Sequence, residues 1–310
     1  MNRQSTSAIL MIRPAAFGYD RETAASNVFQ QQMDLLPEAI HQRAVEEFDE
    51  MVGILGREGL DVNVFVDSAL PVKPDAVFPN NWFSTHTDGT TVFYPMLSTA
   101  RRAERDEAVL DHLSADGWHI EELIDLSMHE ADDLFLEGTG SMVLDRIQRK
   151  AYACLSPRTS PELLEAVAYE LDFTAVDFHA STDDGVEIYH TNVMMAVGTD
   201  WAVLCAESIR DEAERKMVVE NLEQDGKEVV RISLAQMAQF AGNMVELVRP
   251  DGERLIVLSQ SAHDALEPAQ MEALGRHGRL LPIAIPTIET VGGGSVRCMI
   301  AEIFLPSKNN

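Results

Sequence analysis

Pro37-Glu-Ala-Ile-His-Gln-Arg-Ala-Val-Glu-Glu-Phe-Asp-Glu-Met-Val-Gly-Ile-Leu-Gly-Arg-Glu58, then Gly59, then Asp61-Val-Asn-Val-Phe-Val66, decides how the rest of the chain is read. Ile40, Ala44, Phe48, Met51 and Leu55 recur at steps of three and four, which places them on one face of a helix over 37–58. Gly59 supplies the left-handed conformation that ends a helix, and the β-branched and aromatic run over 61–66 reads as a strand. The same order returns four times: a helix over 101–115 with a strand from Trp118-His-Ile120 onward, 161–170 with 173–176, 211–224 with 228–232, and 267–276 with 280–285. Gly117, Gly226 and Gly278 stand where Gly59 does, and Asp172 takes that place in the third copy. The steps between these positions are 58, 55, 54 and 52 residues.

A near-constant step of that size marks a repeat architecture, in which each unit buries its apolar face against its neighbours. Further strands are predicted at 8–12, 91–94, 141–144, 151–155, 193–197, 201–206, 255–259 and 299–305, so each unit holds several strands and one helix. That strand content excludes a helical solenoid. No glycine-rich strand-to-helix phosphate loop is present, which argues against a dinucleotide-binding sheet. The spacing predicts a closed α/β ring of about five units. No linker rich in Pro, Gly or Ser divides the chain, so it is read as one domain over 1–310 with an ordered core over 8–306.

Composition narrows the function. The 310 residues carry 24 Lys plus Arg against 51 Asp plus Glu, a formal net charge of −27, with 45% hydrophobic residues. Nucleic acid needs clustered cations, so it is not an expected partner, and an anionic membrane is disfavoured for the same reason. Acidic residues are spread along the chain and read as a solvated, self-repelling surface rather than a tail. No run approaches a membrane span, the apolar stretch 8–12 is too short for a signal-peptide core, and a cytoplasmic protein is expected. Three cysteines without CxxC or Cys/His ligand spacing describe neither a disulfide framework nor a zinc site. Cys154 and Cys205 lie inside apolar strands and read as small core residues.

Four polar stretches stand where strands should end: Phe78-Pro-Asn-Asn-Trp-Phe-Ser-Thr-His86, Leu136-Glu-Gly-Thr-Gly-Ser141, Tyr189-His-Thr-Asn192 and Val291-Gly-Gly-Gly-Ser-Val-Arg-Cys298. In a ring of repeats such ends converge on the axis. Cys298 follows three glycines, which read as a flexible loop presenting the thiol, and Arg297 beside it can favour a thiolate. The other reading is a buried cysteine at the start of a core strand. His190 would be its proton-transfer partner, with Glu137 to orient the imidazole; taken singly, these two would be an ordinary histidine and a turn carboxylate.

Taken together, Phe78-Pro-Asn80 with Phe83, Leu136-Glu-Gly138, His190-x-Asn192, Gly242-Asn243-Met244 and Gly292-Gly-Gly-x-x-Arg-Cys-Met299 resemble the guanidino-group modifying superfamily, and within it the amidinotransferase-like citrulline utilization hydrolases. The resemblance runs from about residue 8 to about residue 306. It implies a five-bladed α/β propeller, or pentein, of ββαβ-type units. It implies Cys298, His190 and Glu137 as catalytic residues, Asn80 and Arg158 as holders of a substrate α-carboxylate with Arg297 adding positive character, no metal and no organic cofactor, and by family habit a homodimer.

Two departures bear on the substrate. Arginine deiminases carry an aspartate two residues after the catalytic histidine and another six past the PN asparagine; Asn192 and His86 stand there in this sequence. Each charge-assisted hydrogen bond lost from a guanidinium is worth about 1.5–3 kcal/mol, whereas an asparagine and a neutral histidine suit an uncharged ureido group. The sequence therefore points to a small-molecule amino-acid substrate, citrulline, cleaved to ornithine, ammonia and carbon dioxide. An arginine deiminase or amidinotransferase on a guanidino substrate is the rival enzyme, and a non-catalytic binding ring the rival outside enzymology.

Overall fold

Parallel strands cannot be joined by a tight turn, so a chain of helix-then-strand units must cross over to each new strand. The computed structural model, which describes residues 3–25 and 27–308, follows that rule throughout. Residues 1–2, 26 and 309–310 of the expected 1–310 domain lie outside the described residues. The strands are β1 (Ala8–Arg13), β2 (Asp61–Val66), β3 (Phe83–Thr85), β4 (Thr90–Phe93), β5 (Glu122–Asp125), β6 (Val143–Asp145), β7 (Lys150–Cys154), β8 (Thr174–Phe178), β9 (Met195–Val197), β10 (Trp201–Leu204), β11 (Glu228–Arg231), β12 (Val245–Val248), β13 (Arg254–Ser259), β14 (Arg279–Ile283) and β15 (Ala301–Glu302).

Among the described residues they form five three-stranded sheets. In β3-β4-β5, β6-β7-β8, β9-β10-β11 and β12-β13-β14 the middle strand is antiparallel to the first and parallel to the third. The remaining sheet draws on both ends of the chain: β1 lies parallel to β2 and antiparallel to β15, with Ile9 opposite Glu302. Helices Pro37–Arg57, Ala108–Ala115, Pro161–Glu170, Glu212–Gln224 and Pro268–Gly275 make the five crossovers.

Packing joins each sheet to its neighbours. Leu10 and Ile12 of β1 share a cluster with Phe83 and Phe93 of the second sheet, and Val92 of the second meets Leu144 and Ala151 of the third. Tyr152, Met195, Val203, Ile256 and Leu258 link the third, fourth and fifth. Ala44, Phe48, Met51 and Leu55 of the first helix pack with Ile9 and Met11 and also with Leu255 and Val257 of the fifth. The fold is thus a mixed α/β arrangement of small sheets.

Several predicted elements shift. The helix over 101–115 is two pieces, Thr99–Arg102 and Ala108–Ala115, because the Asp106 carboxylate accepts the Ala108 N–H at 2.9 Å and restarts the helix there. The strand placed from Trp118 is displaced to β5, and Trp118 makes only a bridge to Ser307. Strands expected at 141–144 and 193–197 start late, since Gly138–Ser141 and Thr191–Met194 are single helical turns, and the strand expected over 299–305 shrinks to β15 behind the turn Val296–Met299. Gly59, Gly117, Gly226 and Asp172 do adopt positive φ; Gly278 is not among those residues and instead lies close to the Arg254 carbonyl, 3.0 Å from where a Cβ would stand.

Candidate active site

The residues with chemistry occupy equivalent places in successive units. Asn80 and Asn81 lie in the turn Pro79–Asn81 just before β3, Glu137 just before the turn that leads to β6, His190 and Asn192 just before β9, Asn243 just before β12, and Cys298 in the turn just before β15. One cavity collects His190, Arg158, Cys298, Asn81, Arg101, Asp75, Thr23, Asn27, Tyr189 and Gly292–294.

Glu137 is the hub. It is fully buried, and its Oε2 lies 2.7 Å from Nε2 of His190 and 3.2 Å from the Arg158 guanidinium, while Oε1 accepts the Leu97 N–H at 3.0 Å. Burial alone would raise this carboxyl, yet Arg158 and His190 together hold it well below the usual carboxylate range. Burial pushes His190 down to about 4 against the pull of Glu137, so the imidazole is neutral at neutral pH. The carboxylate fixes Nε2 as the protonated nitrogen. Arg158 also stacks over Tyr189, 4.9 Å from the ring centroid.

Cys298 is buried, with its N–H bonded to the Ser295 carbonyl at 2.9 Å. Two neutral amides face its sulfur: Nδ2 of Asn243 at 3.3 Å and Nδ2 of Asn192 at 3.5 Å. Asn243 is itself held, donating to the Asn192 carbonyl at 2.9 Å and accepting the Arg297 N–H at 3.0 Å. The preceding glycines are not a flexible presenting loop. They are buried, and a Cβ on Gly292 or Gly294 would stand 2.8 Å from the Phe78 ring, so they permit a close approach rather than motion.

Of the residues singled out in the sequence, Cys298, His190, Glu137, Arg158 and Asn192 come together. Three others do not take the expected places. His86 lines a separate cavity with Arg146 and Arg149, its Nε2 3.1 Å from the Ser84 hydroxyl, because β3 carries it away from the turn that holds Asn80. Arg297 turns its guanidinium from the sulfur to the Ile300 carbonyl at 2.7 Å and Glu302 at 3.0 Å. Asn80 is buried beside the site with both ends of its amide unpartnered among the described residues, and it is Asn81 that lines the Cys298 cavity, accepting from Arg101 at 2.9 Å. Cys154 and Cys205 are buried core residues, as read, and burial raises their thiols to about 12 and about 11.

Asp75, Arg101 and Asn243 were not singled out as site residues by the sequence. Arg101 sits in what reads as an amphipathic surface helix, and no local pattern tells a buried arginine from a solvated one; here it is buried and pairs with Glu104 at 2.8 Å. Asp75 shares its segment with Asn80 and Asn81, which is the signal that could have found it. Burial raises its carboxyl to about 6, and it accepts from the Thr23 hydroxyl at 2.9 Å.

The fold of small three-stranded sheets brings a buried Cys, a neutral His oriented by a carboxylate, and arginines together, and a family-model match over most of the chain places it in the guanidino-group modifying superfamily. The model of the N,N dimethylarginine dimethylhydrolase family, eukaryotic, matches residues 13–305, and the chain belongs to that family. No curated protein sequence matches it. Among solved structures it is similar to the cyanobacterial ArgZ, an arginine dihydrolase from the ornithine-ammonia cycle, at 16% identity and a TM-score of 0.75, covering 97% of this chain and 41% of ArgZ. The chain spans 97% of the N-terminal domain of ArgZ on its own, again at a TM-score of 0.75 and 16% identity over 95% of this chain. A dimethylarginine dimethylaminohydrolase adduct with S-methyl-L-thiocitrulline matches at 11% identity and a TM-score of 0.65, covering 98% of this chain and all of that one.

Proposed function

We propose that the chain hydrolyses citrulline, with Cys298 as nucleophile, His190 as proton carrier and Glu137 as its orienting carboxylate. The observation that carries the substrate choice is the pair of neutral amides, Asn192 and Asn243, against the Cys298 sulfur. Neither amide brings the carboxylate charge that would balance a guanidinium, whereas an amide can both donate to a ureido oxygen and accept from its nitrogen. Asn192 keeps the argument that His86, lying elsewhere, cannot.

In this reading the neutral His190 takes the Cys298 proton, the sulfur attacks the ureido carbon, and the imidazolium returns the proton to the departing amine, which leaves as ornithine. The carbamoyl group stays on sulfur. His190 then draws a proton from water, hydroxide adds to the carbamoyl carbon, the C–S bond breaks, and carbamic acid decays to ammonia and carbon dioxide. Glu137, buried and ionised, stabilises the imidazolium at each turn. Arg158 is suited to the substrate carboxylate and Asp75 to its ammonium. The five sheets would then be five blades of a pentein, each delivering the turn before its first strand to a common axis.

The second reading, a guanidino substrate, is favoured by family membership and by Asp75, a carboxylate in the same cavity. Incubation with citrulline, arginine and dimethylarginine in parallel separates the two, with Cys298→Ala as control. Ornithine and ammonia formed from citrulline support the proposal. Citrulline appearing from arginine or from dimethylarginine, with no ornithine from citrulline, overturns it.

A further inference from the structure

The turn Asp145-Arg-Ile-Gln-Arg-Lys150 joins β6 to β7 and places an arginine at each end. The Asp145 carboxylate accepts the Ile147 and Gln148 N–H groups at 3.2 and 2.9 Å, and the Gln4 side chain accepts that of Arg146 at 2.8 Å, so the turn is held both by its own carboxylate and by the N-terminal segment. Its two guanidiniums are stacked on aromatic rings: Arg146 lies 3.8 Å from the Phe304 centroid and Arg149 4.0 Å from that of Phe173. Arg3 approaches the Phe304 ring at 5.6 Å. The three, with His86, Thr87, Asp88, Leu171 and Asp172, line a cavity of about 140 Å³.

Three arginines face two carboxylates in this lining: Asp172 pairs with Arg149 at 3.6 Å, and Asp88 accepts the Thr90 N–H at 2.9 Å, which leaves an excess of positive charge. Arg146 is 6% exposed and donates to the Thr85 carbonyl at 3.4 Å, yet among the described residues no ion pair joins it to a carboxylate; Glu302, the carboxylate that acts on it most strongly, pairs with Arg297. Burial lowers Arg146 to about 10, and burial with Arg146 alongside holds His86 neutral by lowering it to about 3. A buried guanidinium without a counter-charge is costly, and a cavity of stacked arginines inside a chain of net charge −27 is built to receive an anion.

We propose that this cavity is a binding site for a small oxyanion, phosphate or carboxylate, held by Arg146, Arg149 and Arg3. Arg149 is fixed by stacking and by donating through Nε and Nη2 to the Asp172 and Leu171 carbonyls, and Arg146 by donating through Nη1 to the Thr85 carbonyl at 3.4 Å, so each is pre-oriented and offers the anion its remaining N–H groups. The site is separate from the Cys298 cavity and does not rest on the reading of the reaction. The test titrates the full chain with inorganic phosphate and, separately, with malonate, at ionic strength held constant with sodium chloride, reading heat of binding and Tm. Saturable binding and a rise in Tm in either arm supports the site and tells which oxyanion it takes. Arg146→Gln should weaken binding at least tenfold, and Arg3→Gln, at an exposed position that folding tolerates, should weaken it with turnover unchanged. No saturable binding in either arm, or binding untouched by both variants, overturns the proposal.

Discussion

With Nε2 bound to the Glu137 carboxylate and its pKa pushed down to about 4, His190 is ready to accept a proton over the whole neutral range. A depressed base loses its function only when pH falls through its own pKa, so the acid limb of kcat/KM belongs near pH 4 rather than near 6.5. An NMR titration of the imidazole alongside the rate profile checks this; a His190 transition near 6.5 would refute it. Asn243 carries a second test. Removing one of two amide donors from a reacting sulfur costs about 1.5–3 kcal/mol if the sulfur is anionic. Asn243→Ala should then lower kcat about 10- to 100-fold with KM little changed, measured by ornithine release. Equal loss in KM would instead mark Asn243 as a spacer for Asn192. At this scale the sequence shows the three residues proposed as nucleophile, base and orienting carboxylate, because Cys, His and Glu in polar breaks are chemically conspicuous. It hides Asp75 and Arg101, whose function comes from burial, and it misplaces His86 and Arg297, whose direction is set by backbone that spacing alone does not define.

Helices and their ends are the most legible elements, since amphipathic periodicity and left-handed caps are local. Asp172 at φ 57 behaves as its position in the repeat requires even without being glycine. Strands of two to four residues such as β3, β12 and β15 carry too few side chains for a pattern, and the helical turns before β6 and β9 are fixed by tertiary hydrogen bonds instead. Those turns are where a glycine substitution separates two effects. Gly138 has φ 48, and a Cβ there would stand 2.4 Å from the Asn80 carbonyl oxygen, a backbone atom that cannot swing aside. Gly226 has φ 79 with nothing within 4 Å. Gly226→Ala should therefore cost only about 1–2 kcal/mol, seen as a fall of a few degrees in Tm with activity intact. Gly138→Ala should destabilise more and abolish turnover by displacing Glu137, the residue next to it.

For the molecule as a whole, two features act together: the first sheet is completed by the last strand, and the surface repels itself. β15 covers the edge of β1, while Phe48 and Met51 tie the first helix to the fifth sheet, so the ends of the chain are held by contacts of the greatest sequence separation. Ending the chain before Ile300 would leave the β1 edge unpaired and remove Ile303, Phe304 and Leu305, all buried, from the core. A net charge of −27 strains that same closure, because like charges on a compact surface favour expansion. Screening should relieve the strain: the Debye length falls from about 30 Å at 0.01 M salt to about 10 Å at 0.1 M, shorter than the span of a domain this size. Thermal unfolding in sodium chloride should accordingly show Tm rising steeply up to about 0.1–0.2 M and then levelling, with the gain largest at neutral pH and shrinking as carboxylates protonate below pH 5. A Tm independent of salt at neutral pH would mean that the surface ion pairs, such as Arg279 with Glu58 and Glu253, already offset the repulsion.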